Sequence, residues 1–386
     1  MLLAAVLSAW LQYVADGRPE VRVRASGACP TATVDGRPLA LARRASPSGG
    51  FSDTVCAAPV APDASSLAVD GRPLPAPARD PRTVVVFGDT GCRIAGRTMQ
   101  ACSDRVAWPF PSIAATIARL HPDLVVHVGD YYYRETPCTI PSCAGPSGDN
   151  SPAWDADWFG PAAPLFASAP LVLARGNHED CARGGDGWFR YLDPRPALQC
   201  TAVTAPWSMT AGSLRLVIFD SASADDLRLD PALDVAYRTQ FSAARALAGS
   251  AGGTTWFVTH RPVYTNANER VTMGDALAPF DAILAGHIHT FAAIDLSALP
   301  PLIVNGEGGD LLDSDADSGA ILSVAVSDLR PTAPPLVRSA FGFAVYTRTA
   351  AGWDVSLRAV DGSERLRCAL AKRHVRCSDV PHPAST

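Results

Sequence analysis

Five short polar segments each stand just after an apolar run, and their side chains are of the kinds that bind metal ions. They read Gly88-Asp89-Thr90-Gly91, Gly129-Asp130-Tyr131-Tyr132-Tyr133, Gly176-Asn177-His178-Glu179, Val258-Thr259-His260 and Gly286-His287-Ile288-His289. Asp89 and Asp130 each follow a glycine, which permits a tight turn and close backbone approach. A carboxylate has two oxygens and can bridge two cations. Asn177 adds a neutral carbonyl, and His260, His287 and His289 add imidazole nitrogens. His287 and His289 are two residues apart, so an extended segment would place both on one face. This is a ligand set for two metal ions. Taken singly, a Gly-Asp after a strand is usually a turn and a lone histidine is usually hydrogen-bonded structure. His121, His127, His374 and His382 are assigned to that structural class. The five segments together, in order, are what single out a metal site.

The elements that must position these residues are legible as apolar, β-branched runs: Val84 to Phe87, Leu124 to Val128, Leu171 to Leu173, Leu214 to Phe219, Trp256 to Val258 and Ile283 to Leu284. Strands buried on both faces read this way. Helical candidates lie between them at Ser112 to Leu120 and Val235 to Leu247. Such alternation predicts an α/β layered domain, in which ligands gather beyond the carboxyl ends of the strands. All five polar segments occupy such ends. Later runs at Leu302 to Val304, Ile321 to Val326, Phe341 to Tyr346 and Trp353 to Arg358 are expected as further strands. Cys138 to Phe166, with Trp154, Trp158 and Phe159, reads either as a rim over the site or as aromatic packing on the core.

The chain of 386 residues has room for one large domain and a small one, and its 47% hydrophobic and 18% charged composition is that of a folded protein. A net charge of -5 and the lack of any Lys/Arg-rich run exclude nucleic acid as a bulk partner. A small phosphorylated substrate remains compatible, because metal charge outweighs net charge locally. Residues 1–15 are mostly apolar and read as a signal segment with an atypical start, or as a first strand. No other apolar stretch is long enough to span a bilayer. Residues 16–80 are expected to form a small β-rich module with its linker. Val-Asp-Gly-Arg-Pro-Leu occurs there twice, at Val34 to Leu39 and Val69 to Leu74, and Asp-Gly is a hairpin signal. The ten cysteines fall in sequence-local couples: Cys29/Cys56, Cys92/Cys102, Cys138/Cys143, Cys181/Cys200 and Cys368/Cys377. Proximity suggests these pairs as disulfides, and an oxidising, secreted or periplasmic setting follows.

The ordered segments resemble those of the calcineurin-like metallophosphoesterases, and within them the purple acid phosphatases, from about Val84 to Gly309. The common family pattern begins Asp-x-His, and here the third position is Gly91. Purple acid phosphatases also carry glycine there, with a tyrosine three residues after the second aspartate, where this chain has Tyr133. The resemblance implies a layered sandwich of two mixed β-sheets flanked by helices, with residues 81–386 as the catalytic domain. It implies Asp89, Tyr133 and His289 as ligands of a first metal, Fe(III). Asn177, His260 and His287 become ligands of a second, Fe, Zn or Mn, with Asp130 as the bridge. A phenolate is a hard anionic ligand suited to a trivalent ion, and imidazole suits a divalent one. His178 is implied to contact phosphate and protonate the leaving group, with Glu179 orienting it. Where plant members carry further histidines after His260, this chain has Arg261 and Tyr264, and Arg261 is expected to hold a phosphate oxygen. The implied activity is phosphomonoester hydrolysis by attack of a metal-activated hydroxide. The rivals are a phosphodiesterase or nucleotide pyrophosphatase on the same centre, and a non-catalytic binding or surface module. No Gly-x-Ser-x-Gly elbow is present, which disfavours a serine hydrolase. Gly306-Glu307-Gly308-Gly309 lacks dinucleotide-binding spacing and is expected to let backbone approach the metal site.

Overall fold

The computed structural model describes residues 5–143, 145–249 and 253–380. His382, assigned above to structure, lies outside them.

Two mixed sheets lie face to face. The larger has eleven strands and the smaller seven. At the centre of the larger, Thr83–Phe87, Leu124–His127 and Leu171–Leu173 run parallel, with Phe87 and Leu173 both level with His127. In the smaller, Leu214–Ile218, Thr254–Val258, Ala282–Ala285 and Leu302–Asn305 run parallel in that order. Strand periodicity sends alternate residues to opposite faces. Val84, Val86, Val126, Leu216, Trp256 and Leu284 therefore pack between the sheets. Val85, Phe87 and Val125 turn outward onto the helix Phe110–Arg119 and a buried aromatic layer. Val217, Phe257 and Ile283 turn outward onto the helices Pro231–Ala248 and Asp315–Ala325. Burial of both faces explains why these strands read as unbroken apolar runs.

Expectation and structure differ in two places, and the structure decides a third that the sequence left open. Residues 16–80 are β-rich as expected, but only part of them stands apart from the sandwich. Val6–Tyr13 is a strand of the large sheet, parallel to Leu171–Leu173 and antiparallel to Pro19–Ala25, and Thr54–Pro59 and Ala42–Ala45 extend the same sheet. Trp10 packs on Phe159 and Phe166, and Arg22 donates to the carbonyls of Tyr191 and Asp193. The separate part is a four-stranded sheet made of two hairpins. Their turns are the repeated Asp-Gly pairs, with positive φ at Asp35, Gly36, Asp70 and Gly71, as a two-residue hairpin turn requires.

Second, Ile321 to Val326 is not a strand but part of the helix Asp315–Ala325. Ser314 caps it by accepting from the Asp317 N–H, and Asp315 and Asp317 favour its positive end. Ser318, Leu322 and Val326 are buried at four-residue spacing while Ile321 and Val324 are exposed, so the operative period is helical. Third, of the two readings of Cys138 to Phe166, the structure shows aromatic packing on the core by Trp154, Trp158 and Phe159. All three are buried, and Trp158 stacks on Phe110 and meets Tyr131 edge-on. This segment supports the site from beneath, since Asp157 accepts from the Tyr133 N–H at 2.9 Å.

All ten cysteines are paired, in the five couples expected. Among the described residues, no helix is long and apolar enough to cross a membrane.

Candidate metal centre

The parallel strands of both sheets end at one edge of the sandwich, and from five of the seven the chain passes into one of the polar segments. The turns are tight. Asp89, Asp130 and His287 take left-handed backbone conformations, with φ of 57°, 60° and 72°. For residues with a Cβ this costs roughly 1–3 kcal/mol each and persists only where neighbours fix it. They do so here. The Asp89 N–H donates to Gly129 O at 2.9 Å, the Asp130 N–H to Glu179 Oε2 at 3.0 Å, and the His287 N–H to both Asp89 oxygens at 3.0 and 3.1 Å. A typical hydrogen bond contributes about 0.5–1.5 kcal/mol, which offsets part of the strain at Asp130 and His287.

These turns bring all seven expected ligands together. The Tyr133 hydroxyl lies 2.7 Å from Asp130 Oδ2, 3.3 Å from Asp89 Oδ1 and 3.2 Å from His289 Nε2. On the other side, His260 Nε2 lies 3.2 Å from the same Asp130 oxygen and 2.9 Å from Asn177 Oδ1. Ligand atoms of Asp130, His260 and His287 fall within 4.8 Å of one another. Asp130 Oδ2 thus sits between Asp89, Tyr133 and His289 on one side and Asn177, His260 and His287 on the other.

The outer ring nitrogens fix which atoms face inward. His260 Nδ1 lies 2.9 Å from Val128 O, and His289 Nδ1 lies 2.7 Å from Leu311 O. A carbonyl only accepts, so both rings carry a proton on Nδ1, and Nε2 is the atom that faces the cluster. His287 is turned the other way, with its Nε2 2.9 Å from Asp226 Oδ2 and 2.9 Å from Arg261 Nη1. His287 and His289 do reach one site, but not by extension. The left-handed turn at His287 sends the two rings to different halves.

The donor set fits metal ions. Asp89 and Asp130 are buried, and their ion-pair partners are imidazoles rather than Lys or Arg. Burial raises the Asp89 carboxyl. Burial, then the Asp130 and Asp89 charges, hold the Tyr133 phenol well above its ordinary value. Burial works to lower His289, yet Asp310 and Asp89 raise it to about 10. Burial and Arg261 lower His287 to about 4. Two carboxylates and a phenol kept from water in this way call for positive charge among them. The glycines leave the room. A Cβ on Gly91 would lie 2.6 Å from Tyr133 Cδ2, so the ring occupies the space a side chain at 91 would need. A Cβ on Gly306 would lie 3.0 Å from Asp89 Oδ2, in keeping with the close approach expected of the Gly306–Gly309 segment.

Two of the remaining residues depart from expectation. Glu179 does not orient His178. Asn177–Glu179 forms one tight helical turn, which brings the Glu179 carboxylate back over the backbone. There it accepts from the N–H groups of Gly176, Asp130, Tyr131 and Tyr132 at 2.8–3.1 Å, tying two of the loops together. The partner of His178 is Glu135, with Oε1 2.5 Å from Nδ1. Arg261 does reach the centre, but it bonds Asp226 and His287, and its side chain is 11% exposed. Glu135 and Asp226 went unread in the sequence. Glu135 stands two residues beyond Tyr133, on the same side of an extended chain, and that spacing was its one signal. Asp226 lies in a loop without pattern. Two further cations flank the site. Arg93 lies over the Tyr133 ring at 4.6 Å and bonds Asp310, and Arg183 lies 3.7 Å from Glu135. Of the other histidines, buried His127 bonds Thr90 and stacks on Tyr131, and His374 bonds Asp295, both structural as expected.

Residues 82–291, more than half of the chain, match the family model of the calcineurin-like phosphoesterases. The chain belongs to that family and is a metallophosphoesterase, a class whose members work through a metal centre. No curated relative matches it by sequence. Among solved structures it is similar to the purple acid phosphatase PPD1 from seeds of yellow lupin (Lupinus luteus). That match has a TM-score of 0.59 and 15% identity, and covers 93% of this chain and 73% of that one. It is also similar to PhoD, with a TM-score of 0.61 and 11% identity over 98% and 93% of the two chains. At such identities the likeness is one of fold, and it spans the N-terminal strands as well as the family region.

Proposed function

We propose that this protein is a two-metal phosphomonoesterase of the purple acid phosphatase type. Asp89, Tyr133 and His289 would hold Fe(III), Asn177, His260 and His287 would hold Fe, Zn or Mn, and Asp130 would bridge them. The observation that carries the reading is the Tyr133 hydroxyl. It converges with Asp89, Asp130 and His289, and its ring fills the space left by the missing Cβ of Gly91. A hard phenolate among carboxylate and imidazole on one side, and carboxamide with two imidazoles on the other, matches a trivalent and a divalent ion respectively. When bound, such a pair supplies an activated water as nucleophile and neutralises charge on the phosphoryl oxygens.

The chain's own groups do the rest. Glu135 takes the Nδ1–H of His178, which fixes the ring and leaves Nε2 to meet the phosphate and pass a proton to the departing alkoxide. The His178 N–H donates to Asp130 Oδ1 at 2.8 Å, so the acid is anchored to the bridge itself. Arg183 and Arg93 bring positive charge to the mouth for an anionic substrate. Glu179 holds the Gly176 and Asp130 turns together and has no contact with the reacting groups. Arg261 acts through Asp226 and His287 rather than by holding phosphate. The five disulfides support a secreted or periplasmic location.

The test is an assay of the metal-loaded protein on p-nitrophenyl phosphate beside its bis ester. Preference for the monoester is expected. Preference for the diester would move the reading to a phosphodiesterase, and inactivity on a broad phosphoester panel would move it to a binding module.

A further inference from the structure

Three imidazoles serve the centre, and one is held unlike the others. The outer nitrogens of His260 and His289 meet backbone carbonyls, of Val128 and Leu311. The outer nitrogen of His287 meets a side chain, Asp226, from the segment between the strand Leu214–Ile218 and the helix Pro231–Ala248. We infer that Asp226 is a positioning residue that sets the affinity of the second metal, by keeping the proton of His287 on Nε2 and its Nδ1 bare. The inference rests on the two-metal reading above.

Two groups compete for one atom. Asp226 Oδ2 and Arg261 Nη1 each lie 2.9 Å from His287 Nε2. A guanidinium only donates. If Arg261 donates to Nε2, the ring proton must sit on Nδ1, where it blocks a metal. A carboxylate only accepts, so if Nε2–H donates to Asp226, Nδ1 carries a free lone pair. Asp226 also binds Arg261 Nη1 directly, and so gives that donor an acceptor other than the ring nitrogen. One carboxylate thus selects the tautomer, orients the ring and occupies the competing donor. Removing such a partner of a ligating histidine typically costs 10–100-fold in metal affinity. Asp226 is itself placed from behind. The Asp225 N–H donates to Asn268 Oδ1 at 2.9 Å, and the Asp225 carbonyl accepts from the Ala267 N–H at 3.0 Å, joining the loop to the helix Ala267–Thr272. In the first-metal half Asp310 Oδ2 lies 3.5 Å from His289 Nδ1, but the Leu311 carbonyl, at 2.7 Å, is the nearer partner and holds the ring.

The full chain, loaded with iron and zinc, is dialysed against buffers of graded free Zn²⁺. Zinc and iron per chain are then measured, with the visible spectrum of the same samples. In Asp226→Ala, half-occupancy by zinc is expected at about 10–100-fold higher free Zn²⁺, with iron and the visible band unchanged. In Asp226→Asn, the carboxamide oxygen still accepts the Nε2–H, so a smaller but measurable rise is expected. Unchanged zinc affinity in Asp226→Ala would overturn the inference. So would loss of iron together with zinc in Asp226→Asn. Should Asp226→Ala fail to fold, Asp226→Asn decides, and no rise there would overturn the inference as well. A wild-type chain that binds fewer than two metals contradicts the two-metal reading itself, and the inference falls with it.

Discussion

The two halves of the proposed centre are built on different supports. On the Tyr133 side the supports are a buried carboxylate and a main-chain carbonyl. Tyr133 is held through its own N–H by buried Asp157, and His289 through the Leu311 carbonyl. On the His287 side the last support is a side chain on a loop, Asp226, and its neighbour Leu227 is 90% exposed. A buried partner is held by the packing around it, while a partner on an exposed loop can be moved or exchanged without disturbing the fold. The Tyr133 half should therefore hold its metal tightly and the His287 half exchange it more readily. This division suits a charge-dense trivalent ion on one side and a divalent ion on the other.

The largest break in that comparison is at the oxygen both halves share. Asp130→Asn removes the bridging charge. Both metals should be lost together, with activity falling on the order of 10³-fold or more, since several kcal/mol of charge stabilisation go with them. Metal analysis beside kinetics checks this, and retention of both metals would remove Asp130 from the bridge. Next comes the acid. His178→Ala should keep both metals and lose about 10²–10⁴-fold in kcat, the usual contribution of a positioned proton donor. Glu135→Gln should lose less and change the pH profile, whereas Glu179→Gln should loosen the loops without that change. Full activity in His178→Ala would end its assignment. The smallest break is steric. Gly91→Ala places a methyl against the Tyr133 ring, and about 1–3 kcal/mol of stability is expected to go. A thermal melt measures it, and a visible band that shifts in step would show that the crowding reaches the phenolate.

The proposed ligands were singled out in the sequence because each stands where an apolar strand run stops. Phe87, Val128, Val258 and Ala285 mark those ends without any three-dimensional knowledge. The disulfides were legible because every pair is close in sequence. What escaped depends on contacts between distant segments. Val6–Tyr13 joins the large sheet through Leu171–Leu173, more than 150 residues away, and no local pattern announces such pairing. Glu179 follows His178 directly, yet the helical turn sends its carboxylate to the backbone and leaves the role to Glu135. Ile321 to Val326 has the composition of a strand, and the Ser314 cap with buried Leu322 and Val326 overrides it. Asp226 reaches His287 across 61 positions from an irregular loop, which a single sequence does not reveal.

The difference between the halves turns on one oxygen. An iron–phenolate pair absorbs visible light, and Tyr133 is the phenol that converges with Asp89, Asp130 and His289. The decisive measurement is the visible spectrum of the iron-loaded protein beside that of Tyr133→Phe, with iron counted in both. The account predicts a band in the wild type and none in Tyr133→Phe, even where iron is retained. A band that survives the substitution would contradict it.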